Sequence, residues 1–198
     1  MPIQDHLPEE LLHLYEVYER GHAAAILAGD FRDEFSDLCT ALLRFRFTED
    51  QVKSPGGNES EIPKTFSQLL RPRWIEKKIN ATFLVDDEPV SVDTHKIDYL
   101  RDRVAVDVEW NSKDQTFDRD LFAFRAFHEF GKISVGVLIT RSDELDPWFQ
   151  SLGSYKDKNG AMRRYADKYG ASTTHMGKLL TRLNVESILI ILLWIIFN

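Results

Sequence analysis

The sequence predicts an α/β fold in which helices flank a mixed central sheet. Three observations lead there. Apolar residues recur at helical spacing through much of the first eighty positions, residues 103–140 read as strand, helix, strand, and an unbroken apolar run occupies Ile188 to Phe197. With 198 residues and 43% hydrophobic content the chain can bury one sizeable core. A single domain over 1–198 is therefore expected. Its parts are a mainly helical segment over 1–80, a strand-helix-strand core over 81–140, and a basic segment with an apolar tail over 141–198.

The elements follow in chain order. From about Glu9 to Ala28, Leu11, Leu14, Tyr15 and Tyr18 lie three to four apart and Gly29-Asp30 closes the run, which predicts one amphipathic helix. A second helix places Phe31, Phe35, Leu38, Leu42 and Phe45 on one face, with Asp30 as its N-cap. Ser54-Pro55-Gly56-Gly57-Asn58 breaks both periodicities and reads as a loop, after which Ile62 to Leu70 forms a short helix. Ala81 to Val85 reads as a strand, stopped by Asp86-Asp87-Glu88-Pro89, and Val90-Ser91-Val92 continues extended. Arg103 to Trp110 and Lys132 to Thr140 are two further strands, the latter of the fully buried kind. Phe117, Leu121, Phe124, Phe127 and His128 mark a helix between them. The apolar tail falls short of the roughly 20 residues that cross a bilayer, so it reads as a buried strand or helix in preference to a membrane anchor.

A net charge of -7 argues against a simple nucleic-acid binder, because phosphate contacts need Lys and Arg. The distribution alters that conclusion. Residues 1–50 hold eleven acids against four arginines, which accounts for the whole excess. In residues 153–183, Lys156, Lys158, Arg163, Arg164, Lys168, Lys178 and Arg182 face only Asp157 and Asp167. That segment is either a solvated face or an anion-binding surface. The lone cysteine, Cys39, suits a reducing compartment and reads as a buried small hydrophobe. The start of the chain lacks the pattern of a secretory signal, so a cytoplasmic location is expected.

The candidate chemistry lies in HKIDYLRDRVAVDVEWNSKD, where Asp98 precedes Asp107 by nine positions and Glu109 follows two later. Residues two apart on a strand share a face, so Asp107 and Glu109 project together while Val106 and Val108 point the other way. Two readings are open. The acids line the solvent side of an edge strand, or they flank a hard divalent cation that offsets their repulsion, with Asp98 completing an oxygen-only site. Asp102, Asp114, Asp118 and Asp120 read mostly as surface charges or caps, with Asp118 suited to a helix first turn.

The run from Asp98 to Glu109, with Asp120-Leu121-Phe122 and Lys132 to Val137 downstream, resembles type II restriction endonucleases that cut GATC-centred sites, the Bgl and Bst group of the PD-(D/E)xK nuclease superfamily. The resemblance covers about half the chain, roughly Lys96 to Leu183. It implies a restriction-endonuclease-like fold and magnesium-dependent hydrolysis of double-stranded DNA. In it Asp98 takes the place of the first motif acid, with Ile97 where the motif has proline. Asp107 takes the place of the second, and Glu109 stands where the superfamily has lysine and this group has glutamate or glutamine. Asp98 and Asp107 would hold one or two magnesium ions, with Glu109 holding or orienting the nucleophilic water. Lys113 is either a partner of the transition-state phosphate or a plain exposed lysine.

The resemblance also implies a homodimer acting on a palindrome and a companion DNA methyltransferase, while the short apolar tail predicts no membrane association. Base contacts are expected from the loop containing Ser172, Thr173, Thr174, His175 and Lys178, or from Asn111 to Gln115. Thr173 or Thr174 would equally serve as an N-cap for a helix from Met176. Arg163 and Arg164 are expected on phosphates, whereas His22 reads as a helix-end histidine. Two other functions remain open: a nuclease of the same fold serving repair or mobile elements, and a catalytically silent DNA-binding relative. The ending VESILIILLWIIFN departs from relatives, which finish in an apolar strand after a glycine-rich loop.

Overall fold

Backbone pairing, more than local periodicity, decides the first part of the chain. The computed structural model describes residues 3–54, 61–78, 80–92, 96–110, 114–169, 176–185 and 190–195. In it the single helix expected from Glu9 to Ala28 is divided into α1 (Glu9–Leu14), β1 (Tyr15–Arg20) and α2 (Ala23–Asp30). Gly21 and His22, at φ 71° and 60°, turn the chain between β1 and α2, so His22 does stand at a helix end. The buried Tyr15 hydroxyl donates to the Leu42 carbonyl at 2.9 Å, anchoring the start of β1 to α3 (Arg32–Arg44). Asp30 closes α2 and does not cap α3, whose N-cap position is Phe31. Cys39 is buried on α3, as expected.

Helices α4 (Glu49–Lys53) and α5 (Glu61–Leu70) follow. A Thr48/Gln51 capping box starts α4 by satisfying free backbone N–H groups at both positions. The chain then forms β2 (Ile75–Lys78), the hairpin β3 (Ala81–Val85) and β4 (Glu88–Val92), β5 (Lys96–Arg101) and β6 (Val104–Glu109). Next come α6 (Asp114–Glu129), β7 (Val135–Arg141), α7 (Asp146–Ser151), the hairpin β8 (Ser154–Lys156) and β9 (Met162–Arg164), α8 (Tyr165–Tyr169), α9 (Met176–Val185) and β10 (Ile190–Ile195).

Six strands form the main sheet in the order β1-β10-β7-β6-β5-β2. Strands β6, β7 and β10 are parallel, and the remaining neighbours are antiparallel. The apolar tail is therefore a strand inside the sheet, between β1 and β7. No described helix is long and apolar enough to cross a membrane.

Alternation along β6 and β7 separates two cores. Val104, Val106, Val108, Val135, Val137 and Ile139 face the cluster that includes Leu38, Leu42, Phe66 and Phe149. Ala105 and Leu138 face Phe117, Leu121, Phe124 and Phe127 of α6 and Leu179 and Leu183 of α9. Helix α6 sits so close to the sheet that a Cβ added at Gly136 would meet the Phe124 ring at 2.7 Å. Arg101, at the end of β5, binds Asp37 and lies 3.0 Å from Glu34, tying β5 to α3.

Candidate active site

Strand β6 lies between β5 and β7, and Asp107 is only 1% exposed. This position removes the reading of an edge strand with a solvent-facing acidic side. Val106 and Val108 face the opposite core, as the period-two pattern requires.

A bulge delivers Asp98. Pairings Ile75↔Leu100 and Lys77↔Ile97 set two steps along β2 against three along β5, so β5 carries one extra residue there. Ile97 and Leu100, three apart, consequently meet the same α6-side cluster, and Asp98 comes against Asp107. The Asp98 backbone N–H donates to Asp107 Oδ1 at 2.8 Å, and the Val108 N–H donates to Asp98 Oδ2 at 3.2 Å. Side-chain oxygens thus receive backbone N–H groups just beyond the Tyr99↔Val106 pair.

Glu109 ends β6, and its carbonyl accepts the Thr140 hydroxyl at 2.8 Å. Its carboxylate lies 3.5 Å from the Arg119 guanidinium and faces the Asp120 side chain, whose carboxyl is pushed upward by burial and then by Glu109 itself. Asp120 Oδ1 in turn lies 3.1 Å from Arg119. Asp98 and Asp107 are therefore joined through backbone N–H bonds, while Glu109, two residues along β6, is linked through Arg119 to a fourth acid, Asp120 of α6.

The electrostatics match this crowding. Burial, opposed in part by the Val108 N–H and reinforced by Glu109, raises the Asp98 carboxyl to about 6. Burial first, then Asp98 and Glu109, push Asp107 well above the usual carboxylate range. Asp120 is also raised, by burial and then by Glu109 and Asp107. Arg119 acts against all three shifts. Acids held this way favour either a proton or a cation among them.

The donor set suits a hard divalent cation. Carboxylate oxygens are its preferred ligands, and Asp107 Oδ2 is buried with no hydrogen-bond partner among the described residues. In the arrangement described, however, no three acid, histidine or cysteine side chains among the described residues are grouped to hold a metal ion.

Asp120 escaped the sequence reading, which took it for a surface charge or cap; the side chain is 0% exposed. A signal was present, because Phe117, Asp120, Leu121 and Phe124 follow the i, i+3, i+4, i+7 pattern of one helix face. An acid on that apolar stripe is a polar group in a core position. Asp118, expected in a helix first turn, is the fifth residue of α6 and pairs with Arg182 of α9.

The proposed DNA-contacting residues lie elsewhere. Arg163 and Arg164 are exposed on β9, with Arg163 beside Asp157 and Arg164 hydrogen-bonded to Asp167 and Gln150. Asn111, Lys113, Ser172, Thr173, Thr174 and His175 lie outside the described residues. Of Lys178 only the backbone, in the first turn of α9, is described.

The mixed sheet, its helices on both faces and the acids meeting where β5 and β6 diverge define a restriction-endonuclease-like fold. The particular family follows from the sequence profile described as Restriction endonuclease BglII/BglIII, which matches residues 15–196, and the chain belongs to that family. It is a type II restriction endonuclease, a hydrolase that binds and cleaves DNA. No curated protein matches the chain.

Proposed function

We propose that this enzyme hydrolyses both strands of a short palindromic DNA site with magnesium, acting in the cytoplasm as a homodimer beside a companion DNA methyltransferase. The observation that carries the magnesium site is Asp107, buried between Asp98 and Glu109 with one carboxylate oxygen that has no hydrogen-bond partner among the described residues. Asp98, Asp107 and Glu109 would hold the cation, Glu109 directly or through the water it orients. When bound, magnesium supplies positive charge beside the scissile phosphate and lowers the pKa of the attacking water.

The protein's part is to place and polarise. The Asp98 and Val108 N–H bonds fix the first two acids relative to one another. Glu109, at 16% side-chain exposure, is more open than Asp107 and orients the water and receives its proton. Arg163 and Arg164, on their exposed hairpin, meet phosphate and set position without reading sequence. Ser172, Thr173, Thr174, His175 and Lys178 supply base-edge and phosphate contacts, and Asn111 and Lys113 do so from the end of the metal strand. The interior position of β10 favours a working enzyme over a silent relative, because the atypical tail completes the sheet.

Plasmid digestion with magnesium tests the proposal. Discrete fragments are expected; a smear, or cutting confined to branched DNA, would replace the site-specific reading with a repair-type one. Asp107→Asn should lower cleavage by about 100-fold or more, since loss of a ligand should exceed the usual effect of losing an outer-shell partner. DNA binding measured in EDTA should survive. Full cleavage by this variant would remove Asp107 from the mechanism.

A further inference from the structure

Asp120 sits on α6 among residues that pack, and its burial is otherwise unfavourable. A carboxyl withdrawn from water on an apolar helix stripe is costly unless its hydrogen-bonding capacity is used. Here that capacity is turned toward Arg119, whose guanidinium stands 3.1 Å from Asp120 and 3.5 Å from Glu109 and so links the two acids. The helix itself has little freedom to move. Phe117, Leu121 and Phe124 seat it against Ala105 and Leu138, and Gly136 admits the Phe124 ring at van der Waals limits.

Glu109 needs such support, because it is the last residue of β6 and its backbone is tied on the β7 side through Thr140. Packing fixes α6, α6 fixes Asp120, and Asp120 with Arg119 faces the Glu109 side chain. We propose that Asp120 is a positioning residue that holds the Glu109 carboxylate in its working orientation, so that α6 packing is transmitted to the reaction centre. The proposal rests on the reading of Glu109 as the acid that orients water.

Positioning differs from direct participation in what substitution should do. Asn at 120 keeps the shape and can donate an amide N–H to Glu109 while its carbonyl oxygen accepts from Arg119. Ala does neither. Loss of an outer partner to a metal-site residue typically lowers affinity or activity by about 10–100-fold.

The test is a double-mutant cycle with full-length protein. Asp120→Ala should lower kcat for plasmid cleavage by about 10–100-fold with KM for DNA nearly unchanged, and Asp120→Asn should stay within about threefold of the parent. Calorimetric titration with magnesium alone, without DNA, should show weaker binding for Asp120→Ala and near-parent binding for Asp120→Asn. In a Glu109→Ala background, adding Asp120→Ala should cause no further loss. A loss that persists in that background, or equal losses with Asn and Ala, would overturn the positioning role. So would parent-like kcat and magnesium binding in Asp120→Ala. If Glu109→Ala alone cleaves normally, the catalytic reading of Glu109 fails first, and that failure is distinct from the others.

Discussion

Replacing Gly136 with alanine should destabilise the protein even though glycine is intrinsically unfavourable in a strand. A Cβ built there stands 2.7 Å from Phe124 Cδ2 and 3.0 Å from Cγ, against a comfortable carbon separation of about 3.5–4.0 Å. Phe124 is buried in one cluster with Phe117, Leu121 and Phe127, so its ring can yield only by displacing packed neighbours. Overpacking of this size costs about 1–3 kcal/mol, while alanine regains about 0.5–1 kcal/mol of strand entropy. The net lies between about 0 and 2.5 kcal/mol and centres near 1 kcal/mol, or roughly 2–4 °C in melting temperature for a chain of this length. Thermal unfolding followed by circular dichroism measures it. Because α6 also carries Asp120, cleavage should fall as well, and Phe124→Leu in the same chain should restore part of both. A Gly136→Ala protein that melts at or above the parent temperature would refute the contact that seats α6 on the sheet.

Two other outcomes are expected. In EDTA the protein should lose thermal stability as pH rises from about 5 to about 9, because Asp98, Asp107 and Asp120 bind protons more tightly when folded than when unfolded. Stability from such raised acids is complete below the unfolded value of about 4 and is lost as pH climbs through the folded values, beginning with Asp98. Magnesium should therefore raise the melting temperature more at high pH than at low pH, and a pH-independent melt in EDTA would contradict the acid cluster. For the hairpin, Arg163→Ala with Arg164→Ala should flatten the dependence of log binding constant on log salt by about one to two units. An unchanged slope would leave these residues to their pairs with Asp157 and Asp167.

The middle of the fold was legible because its signals are local. The β-branched alternation of 103–110, the apolar strand near 135 and the helical stripe on α6 all depend on neighbours in sequence, and the structure places each within a few residues of expectation. Strand β1 was not legible: Tyr15 and Tyr18 fall at helical spacing, and the pairing that makes it a strand comes from β10, far along the chain. Strand β2 carries Ile75-Glu76-Lys77-Lys78, a charged and wholly exposed edge that gives no hydrophobic pattern to read. The acid site was legible in part. Period two put Asp107 beside Glu109, but the bulge that aligns Asp98 and the helix phase that buries Asp120 belong to tertiary packing.

Strand order also dictates when the molecule can be finished. Arg20 of β1 pairs with Ile190 of β10, so β1 must wait for 170 further residues before its partner strand begins to be made. At about 5–20 residues per second that delay is roughly 10–30 s. Until β10 arrives, β7, buried along its whole length in the finished fold, presents an unpaired apolar edge. Such an edge invites association with other chains. Chains that stop before residue 190 should therefore be removed by aggregation or proteolysis instead of accumulating as nuclease. In this topology the central sheet becomes continuous only once β10 has been made.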